Sequence, residues 1–275
     1  MEFTEKYGPW ALVAGASEGV GALYAEALAE RGLNVVLLAR RQTRLDEVAA
    51  GIRDRTGVQT RTLAIDLAGP EAAAEVTAAV ADLEIGFLVY CAGADAEYAA
   101  LLDNPVSTAE GLIQRNCTVL VQLCHAFAAP MVARGRGGIV IFGSGSGFAG
   151  APKLATYGAT KAFDLVFAEG LWAELKPHGV DVLGLVLGET DTPALRRMRH
   201  RLGLAATPDE RPPAATPAAA VVADGMANIG NGPIRMADRK LRLGSRGFFP
   251  MGRNLMAKMM AQATVKTMEP RAPRS

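Results

Sequence analysis

The chain has 275 residues, 50% of them hydrophobic and 21% charged, enough to bury the core of one large α/β domain or two small ones. Its net charge of +1 gives no electrostatic case for nucleic acid or an anionic membrane. Cys91, Cys117 and Cys124 lack metal-ligand and disulfide-framework spacing, and His125, His178 and His200 stand singly, so neither a metal site nor a Ser-His-Asp triad is expected.

The first seven residues have no basic segment leading into an apolar one. The first apolar run, 10–16, is too short for a signal peptide or a membrane span. A cytoplasmic protein with reduced structural thiols and no stable membrane insertion is the expectation. Short apolar runs then alternate with longer amphipathic ones. Strands are predicted at 10–14, 34–39, 60–65, 87–90, 138–142 and 180–187. Helices are predicted between them at 22–31, 43–56, 69–83, 108–134 and 155–175. Nearly all-apolar strands alternating with helices indicate a parallel sheet covered on both faces.

Beyond residue 190 the pattern is less regular. A short arginine-rich helix is read at 193–204, followed by a proline-rich stretch, 205–217, read as a mobile loop. A helix at 217–228 and a seventh strand at 234–237 follow. A methionine-rich helix at about 251–268 is read as packing or a subunit contact, because methionine fills irregular apolar gaps.

Between the first strand and first helix lies Gly15-Ala16-Ser17-Glu18-Gly19-Val20-Gly21. Glycines there let the backbone turn sharply and approach a pyrophosphate, whose charge meets the helix N-terminus. At the end of the second strand, where an acid would hold the ribose 2′-hydroxyl of NAD, stand Arg40 and Arg41. A guanidinium suits a 2′-phosphate, so NADP(H) is expected over NAD(H). Glu18 opposes this slightly, as a negative charge in the phosphate loop. Further on, Tyr157 and Lys161 lie four residues apart, on one face of the helix that carries them. Ser144 lies 13 residues before Tyr157, and Ser146 is its rival. A phenol, an ammonium and a phosphate loop in one chain suggest transfer of a hydride and a proton.

With these motifs the chain resembles the short-chain dehydrogenase/reductase family. The glycine loop, Ala92-Gly93, Asn116, Ser144, Tyr157-x-x-x-Lys161, and Gly188 with Thr192-Pro193 occur in that family's order and approximate spacing, over residues 8–195. The tail is similar to the branch with hydroxysteroid and long-chain 3-oxoacyl reductases. The resemblance implies a single Rossmann-type doubly wound domain with a seven-stranded, mostly parallel sheet. It implies Tyr157 as proton donor or acceptor, Lys161 lowering the phenol's pKa and holding the nicotinamide ribose, and Ser144 hydrogen-bonding the substrate oxygen. Asn116 would anchor a water linking Lys161 to solvent. Asp66 and Leu67 are expected at the adenine, Cys91, Ala92 and Gly93 along the adenosine ribose, and Gly188, Thr190 and Thr192 at nicotinamide and phosphate.

The chain departs from the family pattern at Ala14, where threonine is usual, at Tyr90-Cys91 in place of an asparagine pair, and at Leu187 in place of proline. None removes a catalytic group. The expected function is NADP(H)-dependent interconversion of a hydrophobic or aromatic ketone and its alcohol. The pocket is expected between 94–102, 148–154 and a lid at 193–217, lined by Tyr98, Leu101, Phe148, Leu154 and Leu195. Arginines 196, 197, 199 and 201 are read as a solvated lid face rather than a receptor for an acidic group. Leu123, Phe127, Phe163 and Phe167 are expected to be exposed on helices that build a homodimer or homotetramer. Two other readings stand beside this one: a regulatory protein sensing NADP(H) without turnover, and an epimerase or dehydratase on the same fold.

Overall fold

The computed structural model describes residues 2–93, 98–238 and 241–243, with residues 254, 259, 262 and 263 beyond them. The expected methionine-rich helix lies, those isolated residues apart, outside the described residues, as does the start of the expected pocket wall at 94–97.

A short helix, α1 (Phe3–Tyr7), leads into β1 (Trp10–Ala14), α2 (Gly19–Ala29), β2 (Asn34–Ala39), α3 (Gln42–Thr56) and β3 (Thr60–Ala64). Then come α4 (Ala72–Ala79), β4 (Ile85–Tyr90), α5 (Val106–Ile113), α6 (Val119–Arg134) and β5 (Gly137–Ser144). The chain continues through α7 (Ala155–Leu175), β6 (Val180–Leu187), β7 (Thr190–Asp191), α8 (Pro193–Arg201), β8 (Thr216–Pro217), α9 (Ala218–Asn228) and β9 (Ile234–Met236). Seven strands form one sheet in the order β3-β2-β1-β4-β5-β6-β9, every pair parallel.

The strands read as continuous apolar runs because both faces are covered. Side chains alternate across the sheet, so neighbours in sequence enter different cores. Ala11, Val13, Val35, Leu37, Phe87 and Val89 face one core, shared with Tyr24 and Leu28 of α2, Leu45 and Ile52 of α3 and Val221 of α9. Leu12, Val36, Leu38, Leu88, Ile139 and Ile141 face the other, shared with Val76 of α4, Leu120 and Leu123 of α6 and Ala168 of α7. The sheet order reverses between β1 and β4, and a parallel α/β sheet opens its crevice at the carboxyl ends of such strands.

Three expectations change. The single helix expected at 108–134 is interrupted by a π-helical turn, Gln114–Thr118, joining α5 to α6. Leu123 and Phe127 are not exposed; they pack into the second core, because their face of α6 is the one pressed on the sheet. Phe167 is partly buried against the same core, and Phe163 and Val166 on α7, with Val121 on α6, are the large apolar side chains left exposed there. The segment 106–134 is long and apolar enough to cross a membrane by length and composition, and 44% of its most apolar window is buried inside the fold. Finally, 205–217 is tied at its end: β8 pairs with β7, and Thr216 N–H donates to the Glu189 carbonyl at 2.9 Å.

Candidate active site

The phosphate loop is built by close backbone contact. Gly15 N–H and Ala16 N–H donate to the Leu38 carbonyl at 2.7 and 3.1 Å, tying the loop to β2. Gly15 has φ +92°, and a Cβ there would lie 2.9 Å from the Ala92 nitrogen. A Cβ on Gly21 would lie 2.2 Å from the Gly15 carbonyl oxygen, so the first turn of α2 seats directly on the loop. Glu18 is the N-cap of α2 but makes no side-chain cap, which leaves the first-turn N–H groups aimed out of the loop. Val20 is buried beneath them. This cradle, closed to side chains and open to backbone donors, fits a pyrophosphate.

The charges around the loop are arranged in a way that sequence did not reveal. Glu18 accepts from Arg41 at 3.1 Å and from Arg197, which reaches across from α8. Burial pushes the Glu18 carboxyl up, but the Arg197 and Arg41 bonds outweigh it and hold it below its usual value. Arg41 also reaches the Ser17 hydroxyl at 3.5 Å. Arg40, exposed at the end of β2, makes no hydrogen bond or ion pair among the described residues. Arg196 pairs with Asp191 at 2.6 Å and Arg199 with Glu189 at 3.1 Å. Arg196, Arg197 and Arg199 are thus bound to the chain's own carboxylates rather than forming a freely solvated face.

Asp66 stands exposed past β3, where its Oδ1 accepts from Ala68 N–H at 3.1 Å. Leu67 turns into the second core, 4% exposed. Cys91, Ala92 and Gly93 leave β4 beside the phosphate loop; Gly93 has φ +120°, and a Cβ would lie 2.5 Å from Asn116 Oδ1. Burial pushes the Cys91 thiol up to about 12, so it carries no charge. Past β6, Thr190 Oγ1 donates to the Gly188 carbonyl at 3.2 Å, and Thr192 caps α8 by accepting from Leu195 N–H at 3.2 Å. Thr192 closes over the phosphate loop: a Cβ on Gly19 would lie 3.4 Å from its side chain.

Asn116 sits within the π-helical turn, a feature common at functional sites. It is buried, and its Nδ2 donates to the Gly93 carbonyl at 3.2 Å and to Thr160 Oγ1 at 2.9 Å. Thr160 in turn donates to the Tyr157 carbonyl at 2.8 Å. Asn116 Oδ1 is buried without a partner among the described residues. Ser144 ends β5 and accepts from Ser146 N–H at 3.2 Å. Ser146 therefore contributes its backbone to orienting Ser144. Lys161 is buried on α7, with Nζ 5.9 Å from the Tyr157 ring centre. Its ammonium donates to the Phe142 carbonyl at 2.9 Å and to Asp164 Oδ2 at 2.8 Å. Neither Asp164 nor Thr160 was picked out from sequence, since only the fold reveals that their side chains turn inward.

A cleft opens beside Tyr157. Leu101, Pro105, Ala109, Leu112 and Leu154 give it an apolar wall, and Asn104, Thr108 and Lys153 bring polar groups. Tyr98 is buried nearby, with the Lys153 ammonium 5.4 Å from its ring centre. Of the five side chains expected to line the pocket, Leu101 and Leu154 are on the wall of this cleft. Phe148 and Leu195 do not line this cleft: Phe148 follows the turn after β5, and Leu195 lies in the first turn of α8.

Residues 9–203 match the short chain dehydrogenase family. A 7beta-hydroxysteroid dehydrogenase of Collinsella aerofaciens is 36% identical over 195 residues, covering 71% of this chain and 74% of that protein. A solved 7beta-hydroxysteroid dehydrogenase structure superposes with a TM-score of 0.85 at 30% identity, over 94% of this chain and 99% of the other. A short-chain dehydrogenase from Sphingobium yanoikuyae, solved in complex with NADPH, gives a TM-score of 0.77 at 31% identity, over 98% of both chains. With its parallel sheet, its glycine loop and its Tyr157–Lys161 helix, the chain belongs to the short-chain dehydrogenase/reductase family, enzymes that act on CH–OH and C=O groups.

Proposed function

We propose that this enzyme interconverts a hydrophobic or aromatic ketone and its secondary alcohol with NADP(H), using Tyr157 as proton donor in reduction and acceptor in oxidation. The observation that carries the reading is the convergence of Asn116, Ser144, Tyr157 and Lys161 at the carboxyl edge of the sheet, beside a phosphate cradle and an apolar cleft.

The cofactor supplies or accepts a hydride at its nicotinamide ring. The backbone of 15–21 would hold its pyrophosphate. Asp66, Leu67 and residues 91–93 would flank the adenosine, and Gly188, Thr190 and Thr192 the nicotinamide half. Arg40 is the guanidinium available to a 2′-phosphate, because Arg41 already serves Glu18. The NADPH complex of the Sphingobium relative agrees with this choice.

The Ser144 hydroxyl would donate to the substrate oxygen as charge develops there. The Tyr157 phenol would deliver or take the proton at that oxygen. Lys161, charged and buried, stands beside the Tyr157 ring and would hold the nicotinamide ribose hydroxyls. Asn116 holds Thr160, and through it the α7 backbone at Tyr157. Its Oδ1 can take one bond from a water that returns protons to Lys161. The apolar wall around Leu101, Pro105, Leu112 and Leu154 favours a bulky apolar substrate, in keeping with the hydroxysteroid dehydrogenases among the relatives. The exposed Phe163, Val166 and Val121 suit burial between subunits of a homodimer or homotetramer.

Incubating the purified protein with NADPH and a panel of apolar and aromatic ketones tests the reading. NADPH oxidation dependent on a ketone is expected. Tight NADPH binding with no oxidation by any carbonyl would point instead to a sensor, and substrate conversion with no net change in NADPH to an epimerase or dehydratase.

A further inference from the structure

Asp164 lies one turn beyond Lys161 on α7 and is 3% exposed. A buried carboxylate is costly unless it is paired, and among the described residues this one is ion-paired with Lys161 alone. Its Oδ2 takes one Lys161 N–H at 2.8 Å, while its Oδ1 is buried without a partner among the described residues. A second Lys161 N–H goes to the Phe142 carbonyl, on β5 two residues before Ser144. An ammonium has three N–H donors, so one remains.

We propose that Asp164 is a positioning residue of the catalytic site: its carboxylate anchors the buried Lys161 ammonium and balances its charge, so that the remaining N–H serves the Tyr157 side. The inference rests on the reading of Tyr157 and Lys161 as the proton-handling pair.

The surroundings leave this role to Asp164. Cys91 beyond β4, Cys117 on the π-helical turn, Cys124 on α6 and Tyr90 on β4 face the pair. Burial pushes Cys91 up to about 12 and Cys117 to about 11, and raises Cys124 and Tyr90 as well, so all four stay neutral. Arg115 lies near Tyr90, whose hydroxyl donates to the Arg115 carbonyl. Burial works against both charges: at Lys161 the Asp164 carboxylate, with a further contribution from Tyr157, more than offsets it, while at Asp164 burial outweighs the Lys161 ammonium and raises the carboxyl above its usual value.

Removing a negative charge lowers the proton affinity of every group nearby, most of all the nearest. Neutralising Asp164 therefore moves both ionisations of the Tyr157–Lys161 pair to lower pH. It also shifts the pair away from its working form, phenolate with ammonium, towards phenol with amine.

The test is the pH profile of kcat/KM for alcohol oxidation with NADP+, using an alcohol the enzyme accepts. In Asp164→Asn both limbs are expected to move acidward by about one pH unit or more, with a lower maximum. Asp164→Glu, which keeps the charge, returns the limbs towards their original positions. Limbs that stay in place in Asp164→Asn, whatever the loss at the maximum, overturn the proposal and reduce Asp164 to a packing role. A stability measurement decides the matter if Asp164→Asn alone does not fold. In a Lys161→Met background Asp164 is left as an uncompensated buried carboxylate, so adding Asp164→Asn is expected to raise the urea midpoint at pH 7. A fall there overturns the proposal. Failure of the underlying reading looks different: NADPH binds, and no ketone or alcohol is turned over.

Discussion

Replacing Arg40 by alanine tests how the cofactor is chosen. Arg40 and Arg41 both follow β2, but the structure gives them different work. Arg41 is bound to Glu18 at 3.1 Å and approaches Ser17, whereas Arg40 has no partner among the described residues. A hydrogen bond to a charged group contributes about 1.5–3 kcal/mol. Arg40→Ala should therefore weaken NADPH by roughly 10- to 150-fold and change NADH by less than about 2-fold. Glu18→Gln supplies the complementary arm. The Glu18–Arg41 pair is partly exposed, and such pairs are worth about 0.2–1 kcal/mol. Freeing Arg41 for a 2′-phosphate should tighten NADPH by roughly 1.5- to 5-fold, and salt should erode that gain. Fluorescence titration of both cofactors against the two variants is the assay. Equal losses for NADPH and NADH in Arg40→Ala would refute the assignment of Arg40 to the 2′-phosphate.

Three further outcomes follow from the same geometry. Gly21→Ala puts a methyl 2.2 Å from the Gly15 carbonyl, so the loop must retreat by about 1 Å; a cost of about 1–3 kcal/mol in stability and a weaker cofactor Kd are expected from thermal melts and titration. Asp224 is held below its ordinary value by Arg235, with burial opposing and Arg242 assisting, so its stabilising effect is present above about pH 3.8 and is lost as pH falls further. Asp224→Asn should lower Tm by roughly 2 °C at pH 7, and by progressively less below pH 3.8 in a melting series. Val166→Asp, on the exposed apolar face of α7, should shift sedimentation towards a smaller species while leaving the monomer folded.

Where the chain's chemistry is local, the residues were enough to read it. β1, β2, α7 and β6 begin and end where apolar runs, glycines and prolines place them, because a strand buried on both faces leaves little freedom in its composition. The phosphate loop was legible for a similar reason: Gly15 and Gly21 answer steric demands within the same few residues. What escaped depends on distant partners. A π-helical turn at Asn116 adds no compositional signal to 108–134, so the interruption was invisible. The apolar residues of α6 spread around the helix, so composition does not show that Leu123 and Phe127 lie on its sheet side. The carboxylate partners of Arg196, Arg197 and Arg199 lie 5, 179 and 10 residues away, and only the fold brings Glu18 and Arg197 together. Asp164 is an ordinary acidic residue in sequence, and becomes notable once Lys161 is seen bound to it in the interior.

Whether Tyr157 carries the proton at a site supported by Lys161 is decided by Tyr157→Phe. The substitution removes one hydroxyl and leaves α7, the phosphate loop and the Asn116–Thr160 bond in place. Single-turnover NADPH oxidation with a ketone, measured beside NADPH affinity, separates chemistry from binding. A rate lower by about 10²- to 10⁴-fold with NADPH affinity nearly unchanged is expected. A Tyr157→Phe enzyme that turns over within a few-fold of the original would contradict it.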